Sequence, residues 1–204
     1  RCLAVDENGS LVDGDYLIAI CANDMKQRGV LKKNAVVGTI MTNMGFNKFC
    51  EENDMHFVST KVGDRYVLEN MREHGYNIGG EQSGHVIFLD DNTTGDGLLS
   101  ALHLLEVMVK TKKTLSELAS VMEVLPQALV NAKVPNHKKD NFMDYQEIAD
   151  AVAKLEQKFN GEGRVLIRPS GTEPLVRVMI EGKDQKVIDE EAKKLAELIT
   201  KIML

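Results

Sequence analysis

A β-rich apolar run occupies positions 35–41 of the chain: Ala35-Val36-Val37-Gly38-Thr39-Ile40-Met41. Helical patterns flank it on both sides, around Tyr16 to Arg28 and around Gly45 to Asn53. A further apolar run, His56-Phe57-Val58, follows the second helical pattern. Strands that alternate with helices in this way predict an α/β fold with a largely parallel sheet.

The elements predicted on either side extend this alternation through the first hundred residues. They are a strand at Leu3-Ala4-Val5, a short helix from Gly63 to Glu73, strands at Tyr76-Asn77-Ile78 and Val86-Ile87-Phe88-Leu89, and a longer helix that opens at Thr93-Thr94-Gly95-Asp96-Gly97. The apolar stripe of the longer helix recurs at spacings of four, three and four, at Leu98, Leu102, Leu105 and Val109. This spacing predicts that the stripe is buried against the sheet.

The pattern changes near residue 120, where we place a domain boundary. Beyond it come a strand-like run at 128–134, a helical stripe at 148–159, strands at 164–167 and 175–180, and a last helix from about Asp184. The last helix is too short for a coiled coil, so packing on a sheet is favoured. The predicted fold class is α/β: a mixed, mostly parallel α/β sandwich domain over residues 1–120, followed by a smaller α+β domain over residues 121–204.

Composition argues against several classes of protein. The chain has 204 residues, a net charge of −6 and 43% hydrophobic residues. The acidic balance leaves no excess of positive charge for a nucleic-acid backbone, and no apolar run reaches the roughly 20 residues that cross a bilayer. The three cysteines, Cys2, Cys21 and Cys50, form no C-x-x-C pair, which argues against disulfides and a zinc ribbon and favours a reducing cytoplasm. We expect all three thiols to be small buried hydrophobes.

The strongest chemical signal is the segment Arg168-Pro169-Ser170-Gly171-Thr172-Glu173-Pro174, which Arg177 follows. Gly171 permits a positive φ and close approach of a ligand, so that consecutive backbone N–H groups can form a concave nest. Ser170 and Thr172 add hydroxyl donors, and the two guanidinium groups supply the planar donor geometry that phosphate oxygens accept. An ordinary hairpin loop explains the glycine and the prolines but not the two arginines. Phosphate binding is therefore the favoured interpretation.

A second polar loop lies between two predicted strands: Gly79-Gly80-Glu81-Gln82-Ser83-Gly84-His85. Glu81, Ser83 and His85 offer an acceptor, a hydroxyl and a titratable ring, a set that suits sugar hydroxyls and a nearby proton transfer. A plain hairpin turn with a solvated Glu81 explains the loop equally well. The other histidines have no polar companions and are predicted to be structural: His56, His74, His103 and His137.

A third candidate, Thr60-Lys61-Val62-Gly63-Asp64-Arg65, is the end of a strand that turns into a helix. Ligands of α/β sheets collect at the carboxyl ends of strands, where helix N-termini supply free N–H groups. The alternative is that Asp64 is the helix N-cap and Arg65 a surface charge. We predict no metal ligand, because no His, Asp and Glu residues have metal-ligand spacing.

The order of these motifs along the chain, and the number of residues between them, resemble the C-terminal half of the α-D-phosphohexomutase family. Gly80 to His85 is similar to the family's sugar-binding loop, and Arg168 to Pro174 is similar to its phosphate-binding loop. Gln82 and the Ser170-Gly171-Thr172 form of the phosphate loop resemble the glucosamine branch of the family. The resemblance covers essentially the whole chain. It implies the third α/β domain (residues 1–120) and the C-terminal α+β domain (residues 121–204) of a four-domain enzyme.

The resemblance implies a cytoplasmic isomerase that interconverts glucosamine 6-phosphate and glucosamine 1-phosphate, on the route to UDP-N-acetylglucosamine and the cell wall. It implies that Glu81 and Ser83 hold sugar hydroxyls. The residues that it implies for the non-reacting phosphate are Arg168, Ser170, Gly171, Thr172 and Arg177. The residues that it places at the floor of the cleft are Gly63 and the catalytic candidates His85, Lys61, Asp64 and Arg65.

The same resemblance implies that the metal and the nucleophile lie outside this chain. Arg1 resembles the last residue of the family's Asp-Gly-Asp-x-Asp-Arg loop, so the Mg²⁺ ligands and the phosphoserine would lie upstream of it. The reaction would pass through glucosamine 1,6-bisphosphate. Phosphoryl transfer depends on such groups, so we expect the chain alone to be inactive. Its expected partners are a hexosamine phosphate and the N-terminal domains of the same enzyme, and a homodimer is compatible with the resemblance.

Two other functions stay open at this point. A stand-alone phosphosugar-binding or regulatory module would use the same two loops without any chemistry. The sequence immediately before Arg1 distinguishes this module from the mutase, which requires an Asp-rich metal loop there. A nucleotide-binding α/β domain is disfavoured, because no G-x-G-x-x-G segment follows the first strand.

Overall fold

The structure, a computed structural model, describes residues 1–204 and divides into two units, residues 1–124 and 125–204. The elements of the first unit are β1 (Ala4–Val5), β2 (Leu11–Val12), α1 (Gly14–Gln27), β3 (Ala35–Thr39), α2 (Met44–Glu52), β4 (His56–Thr60), α3 (Asp64–His74), β5 (Ile78–Gly80), β6 (Val86–Phe88), α4 (Gly97–Thr111) and α5 (Leu115–Ala119). The main sheet has the order β4-β3-β5-β6. β3 pairs in parallel with β4 and β5, while β6 is antiparallel to β5. The predicted mostly parallel sheet is confirmed.

Strand β3 is buried along its whole length because helices cover both faces of the sheet. Successive side chains of a strand point to opposite faces. Val36 belongs to a core that includes Leu17 of α1 and Phe46 of α2. Val37 belongs instead to a smaller core with Val67 of α3. The two cores explain why an unbroken apolar run, without alternation, forms the central strand.

Helix α4 does not bury the stripe that its spacing predicted. The side chains of Leu98 and Val109 are 74% and 76% exposed, and Leu102 and Leu105 are also exposed. The buried residues of α4 are Ser100, Leu104 and Val107, which have helical spacing of their own. Because the helix is apolar on two faces, periodicity alone cannot tell which face packs against the sheet. The prediction of the buried stripe was wrong for this reason.

Two local predictions also differ from the structure. The run Leu3 to Val5 was expected to extend the main alternation, but β1 pairs only with β2 in a separate two-stranded sheet. Strand β5 was expected over 76–78, but it begins at Ile78 and includes Gly79 and Gly80, which had been placed in the loop. Glycine at these two positions lets other backbone come close: a Cβ on Gly80 would lie 2.3 Å from the carbonyl oxygen of His85.

The second unit is an antiparallel sheet covered by two helices. Its elements are β7 (Gln127–Lys133), α6 (Gln146–Phe159), β8 (Gly163–Pro169), β9 (Leu175–Gly182) and α7 (Gln185–Met203), with a 3-10 turn at Lys139–Asp144 before α6. The strand order is β7-β9-β8. The buried stripe of α7 packs on this sheet, as its spacing predicted, and includes Ile188, Ala192, Leu195 and Ile199. The predicted smaller α+β domain is thus confirmed as a fold. Neither unit contains a helix that is both long and apolar enough to cross a bilayer.

Candidate substrate-binding loops

The loop from Glu81 to His85 is a tight connection between β5 and β6. The N–H of Gly84 donates to the carbonyl of Glu81 at 3.0 Å, and the N–H of Glu81 donates to the carbonyl of His85 at 3.0 Å. Gly84 has a φ of +85°, in the left-handed region that favours glycine. Backbone hydrogen bonds therefore hold the shape of the loop and leave its side chains free for other contacts.

The N-terminus of α1 supports this loop through backbone contacts. The N–H of Gly14 donates to the carbonyl of Gln82 at 2.9 Å. A Cβ on Gly14 would lie 2.1 Å from the carbonyl oxygen of Glu81, so only glycine permits this approach. The preceding Asp13 caps the helix, and burial raises the pKa of its carboxyl group. Sequence reasoning missed both residues, although an acidic cap followed by glycine is a recognisable helix start.

The strand end at 60–65 and the loop at 81–85 come together. The N–H of Gly63 donates to Oε1 of Glu81 at 3.0 Å. Oδ2 of Asp64 lies 3.5 Å from Nε2 of His85, whose side chain is 22% exposed. Gly63, not Asp64, occupies the N-cap position of α3, and no side chain caps the helix. The N-cap alternative for Asp64 is therefore wrong, and its carboxylate faces the imidazole instead.

The other candidates of this unit stay at the surface. Lys61 and Ser83 are exposed. The Nε of Arg65 lies 2.7 Å from a carboxylate oxygen of Glu69, and the Arg65 side chain is 81% exposed. Gly95, which the sequence did not single out, packs against the ring of His85: a Cβ there would lie 1.8 Å from its Cδ2. Imidazole and carboxylate side chains are common general acids and bases.

The second unit brings Arg168 and Arg177 side by side. They are direct partners across the β8 and β9 register. Burial and the neighbouring charge of Arg177 lower the pKa of Arg168. One nitrogen of Arg177, Nη2, is 3.2 Å from a carboxylate oxygen of Glu173, while its Nε is buried without a hydrogen-bond partner. Like charges opposite each other destabilise a sheet, and an anion between them would offset this repulsion.

The loop between these arginines presents free backbone donors. Ser170 is buried, its N–H donates to the carbonyl of Leu175 at 2.9 Å, and its Oγ accepts from the N–H of Glu173 at 3.2 Å. The N–H groups of Gly171 and Thr172 donate to no protein acceptor. Gly171 does not adopt the positive φ that glycine permits. A Cβ at Gly171 would meet nothing within 4 Å, which leaves space for a ligand to approach these donors.

Several groups outside the loops were predicted to be structural. His103 does have polar company, contrary to expectation: its Nε2 lies 3.0 Å from Oδ2 of Asp91, and its ring stacks on Phe88. His74 likewise stacks on Tyr76. Cys21 and Cys50 are buried as predicted, and burial raises the pKa of each thiol to about 12, whereas Cys2 is only partly buried. No three His, Cys, Asp or Glu side chains lie close enough together to hold a metal ion.

The fold and its loops define the class: an α/β unit with a polar hairpin loop, followed by an antiparallel unit with a cationic loop. The sequence model described as "Phosphoglucomutase/phosphomannomutase, alpha/beta/alpha domain III" matches residues 13–125. The model described as "Phosphoglucomutase/phosphomannomutase, C-terminal domain" matches residues 129–198. The chain belongs to the phosphoglucomutase/phosphomannomutase family.

Within this family, the chain is similar to bacterial phosphoglucosamine mutases. It is 57% identical over 201 residues to that of Clostridium acetobutylicum, which covers 98% of this chain and 45% of the relative. It is also 57% identical over 199 residues to that of Caldanaerobacter subterraneus subsp. tengcongensis, which covers 98% of this chain and 44% of the relative. The chain thus spans less than half the length of these relatives.

Solved structures show the same fold at much lower sequence identity. The Aspergillus fumigatus N-acetylphosphoglucosamine mutase in complex with GlcNAc-6P and magnesium matches 99% of this chain and 46% of its own, with a TM-score of 0.79 and 20% identity. An N-acetylglucosamine-phosphate mutase in its substrate complex matches 97% of this chain and 46% of its own, with a TM-score of 0.74 and 24% identity.

Proposed function

We propose that this chain is the substrate-recognition part of an isomerase that interconverts glucosamine 6-phosphate and glucosamine 1-phosphate. The observation that carries the proposal is the Arg168 and Arg177 pair beside two free N–H groups. The 57% identity to phosphoglucosamine mutases supports the choice of sugar. The chain contributes the third and the C-terminal domains of the family.

In this proposal the loop of the second unit binds the phosphate that does not react. The guanidinium groups of Arg168 and Arg177 and the N–H groups of Gly171 and Thr172 donate to its oxygens. The hydroxyl of Ser170 accepts from Glu173, so its proton is free to donate as well. Two cations and several neutral donors suit a dianionic phosphate better than a carboxylate, which has fewer acceptor oxygens.

The loop of the first unit recognises the sugar. One carboxylate oxygen of Glu81 is engaged by the N–H of Gly63, which orients the carboxylate and leaves the other oxygen for a sugar hydroxyl. Ser83 is exposed and offers a second hydroxyl contact. Asp64 orients His85 for a proton transfer next to the sugar, and Lys61 and Arg65 supply positive charge at the surface nearby.

The remaining chemistry belongs to the domains that precede domain III in the family. The proposal includes a phosphoserine, Mg²⁺ and a 1,6-bisphosphate intermediate, in a cytoplasmic enzyme that supplies UDP-N-acetylglucosamine for the cell wall. The residues of this chain do not fit a magnesium site, so we assign them no step that involves the metal. Its partners are the hexosamine phosphate and those preceding domains.

An amide NMR titration of the 204-residue chain tests the recognition role. We expect glucosamine 6-phosphate to shift Gly171 and Thr172 together with Gly84 and His85. Inorganic phosphate should shift only Gly171 and Thr172. Arg168→Ala should abolish these shifts at the phosphate loop, whereas the matched control Arg72→Ala removes an exposed arginine of α3 and should leave them unchanged.

The titration also has an outcome that contradicts the proposal. If neither loop responds to glucosamine 6-phosphate, the chain does not recognise a phosphosugar by itself. A coupled assay separates the mutase from a binding module. We expect no turnover by the chain alone and turnover when the preceding half of a relative is supplied. Binding without turnover in the complemented mixture would favour the module instead.

A further inference from the structure

A lysine outside the phosphate loop contacts its backbone. Lys139 opens the 3-10 turn Lys139–Asp144. Its Nζ donates to the carbonyl of Ser170 at 2.6 Å and lies 3.5 Å from the carbonyl oxygen of Gly171. We propose that Lys139 is a positioning residue that turns the N–H groups of this loop toward the bound phosphate. This inference rests on the proposed function of the loop.

The geometry of the peptide bond links the lysine to the N–H groups. In a trans peptide the C=O and the N–H point in opposite directions, and the chain contains no cis peptide bond. The carbonyl of Ser170 shares its peptide unit with the N–H of Gly171, and the carbonyl of Gly171 shares its unit with the N–H of Thr172. An ammonium group that holds both carbonyls therefore directs both N–H groups away from itself.

No other hydrogen bond engages these two peptide units. The N–H of Ser170 and the N–H of Glu173 are both engaged within the loop, which ties down its two ends. Gly171 and Thr172 are exposed between them, and glycine has the greatest backbone freedom of any residue. Lys139 thus removes freedom that a bound anion would otherwise have to restrict, which improves affinity by preorganisation. Its ammonium group also adds a positive charge next to the backbone of this loop.

The test compares Lys139→Met with Lys138→Met in the 204-residue chain. Both substitutions remove one positive charge, but Nζ of Lys138 donates to the carbonyl of Met203, not to the loop. The readouts are the heteronuclear NOE at the Gly171 and Thr172 amides without ligand, and the Kd for inorganic phosphate. We expect Lys139→Met to lower the NOE at both amides and to weaken phosphate binding by about tenfold. Lys138→Met should change neither the NOE nor the phosphate Kd. Lys139→Arg should retain most of the wild-type NOE and most of the wild-type phosphate affinity.

Three outcomes are decisive. If Lys139→Met leaves the NOE and the phosphate Kd unchanged, the inference is overturned while the proposed function stands. If both lysine variants weaken phosphate equally and neither changes the NOE, the effect is general charge and the positioning role is also overturned. If Lys139→Met loosens the loop but the wild-type chain binds no phosphate, Lys139 orders the loop without positioning a phosphate, so the proposed function fails and the inference fails with it. Should Lys139→Met disturb the amide spectrum of β8 and β9, Lys139→Gln and Lys139→Arg provide the same comparison.

Discussion

At the residue scale, Gly14 and Gly171 differ in whether the structure has room for a larger side chain. A Cβ on Gly14 would meet backbone atoms of the loop at 81–85 at 2.1 and 2.7 Å, so this loop or α1 must move. Gly14→Ala is expected to lower the free energy of unfolding by roughly 1–3 kcal/mol, although alanine is the better helix former. Gly171→Ala meets nothing within 4 Å and should stay within about 0.5 kcal/mol of wild type. Urea unfolding of both variants checks this, and equal stabilities would contradict it.

The thiols allow a second prediction at this scale. Burial raises the pKa of Cys21 and Cys50 to about 12, from the ordinary 9.0, so few of these thiols are ionised near neutral pH. We expect iodoacetamide at about pH 8 to leave both unmodified in the folded chain and to label the partly buried Cys2 first. Mass spectrometry of the tryptic peptides gives the result, with urea-unfolded chain as the control. Rapid labelling of Cys21 or Cys50 without urea would contradict the burial and the raised pKa of that thiol.

The same shifts predict how stability depends on pH. A thiol whose pKa is raised in the folded state stabilises the fold fully below its unfolded pKa, and this contribution is lost as the pH rises through the folded pKa. For Cys21 and Cys50, this loss of stability is therefore expected between about pH 9 and about pH 12. Urea unfolding of wild type and Cys21→Ala can be measured across the accessible lower part of this pH window. The free energy of unfolding should fall less steeply with pH in the variant than in wild type. Parallel declines would contradict a contribution from this thiol.

At the scale of the element, α4 shows that an apolar side chain of a helix need not be buried. Leu102 is 56% exposed and Leu105 is 52% exposed, whereas Leu104 is 4% exposed. Leu102→Gln and Leu105→Gln should each change stability by less than about 0.5 kcal/mol. Leu104→Ala should cost roughly 2–5 kcal/mol, because it leaves a cavity in the core. Urea unfolding of the three variants provides the comparison, and a large loss in either glutamine variant would show that the exposed face is packed.

At the scale of the whole molecule, each unit has a core of its own. The core of the second unit is built from its own residues, including Ile148, Val178, Ile188 and Ile199. We therefore expect residues 125–204, expressed alone, to fold and to show one cooperative thermal transition by circular dichroism. Residues 1–124 provide the complementary experiment. A broad, non-cooperative transition for residues 125–204 would mean that this core does not suffice.

The fold class followed from the sequence because it depends on local periodicity. The apolar run around Val36 and Val37 predicted the central strand, and the spacing of Ile188 and Ile199 predicted the packed face of α7. The two loops were also identifiable, since glycines, hydroxyls and arginines in a short segment restrict what that segment can bind. The resemblance of these loops to one family then supplied the proposed activity, which their chemistry alone left open.

Tertiary structure decided what periodicity and composition could not. The face of α4 that packs, the contact between Asp64 and His85, and the hold of Lys139 on a loop 31 residues away all depend on how distant segments meet. Local propensity stabilises an element, but it carries no information on which neighbour that element will face. The sequence by itself therefore determined most of the elements, their order and the candidate loops, but neither β2 nor the bounds of β5. Only packing determined which side chains and backbone groups act together in each loop.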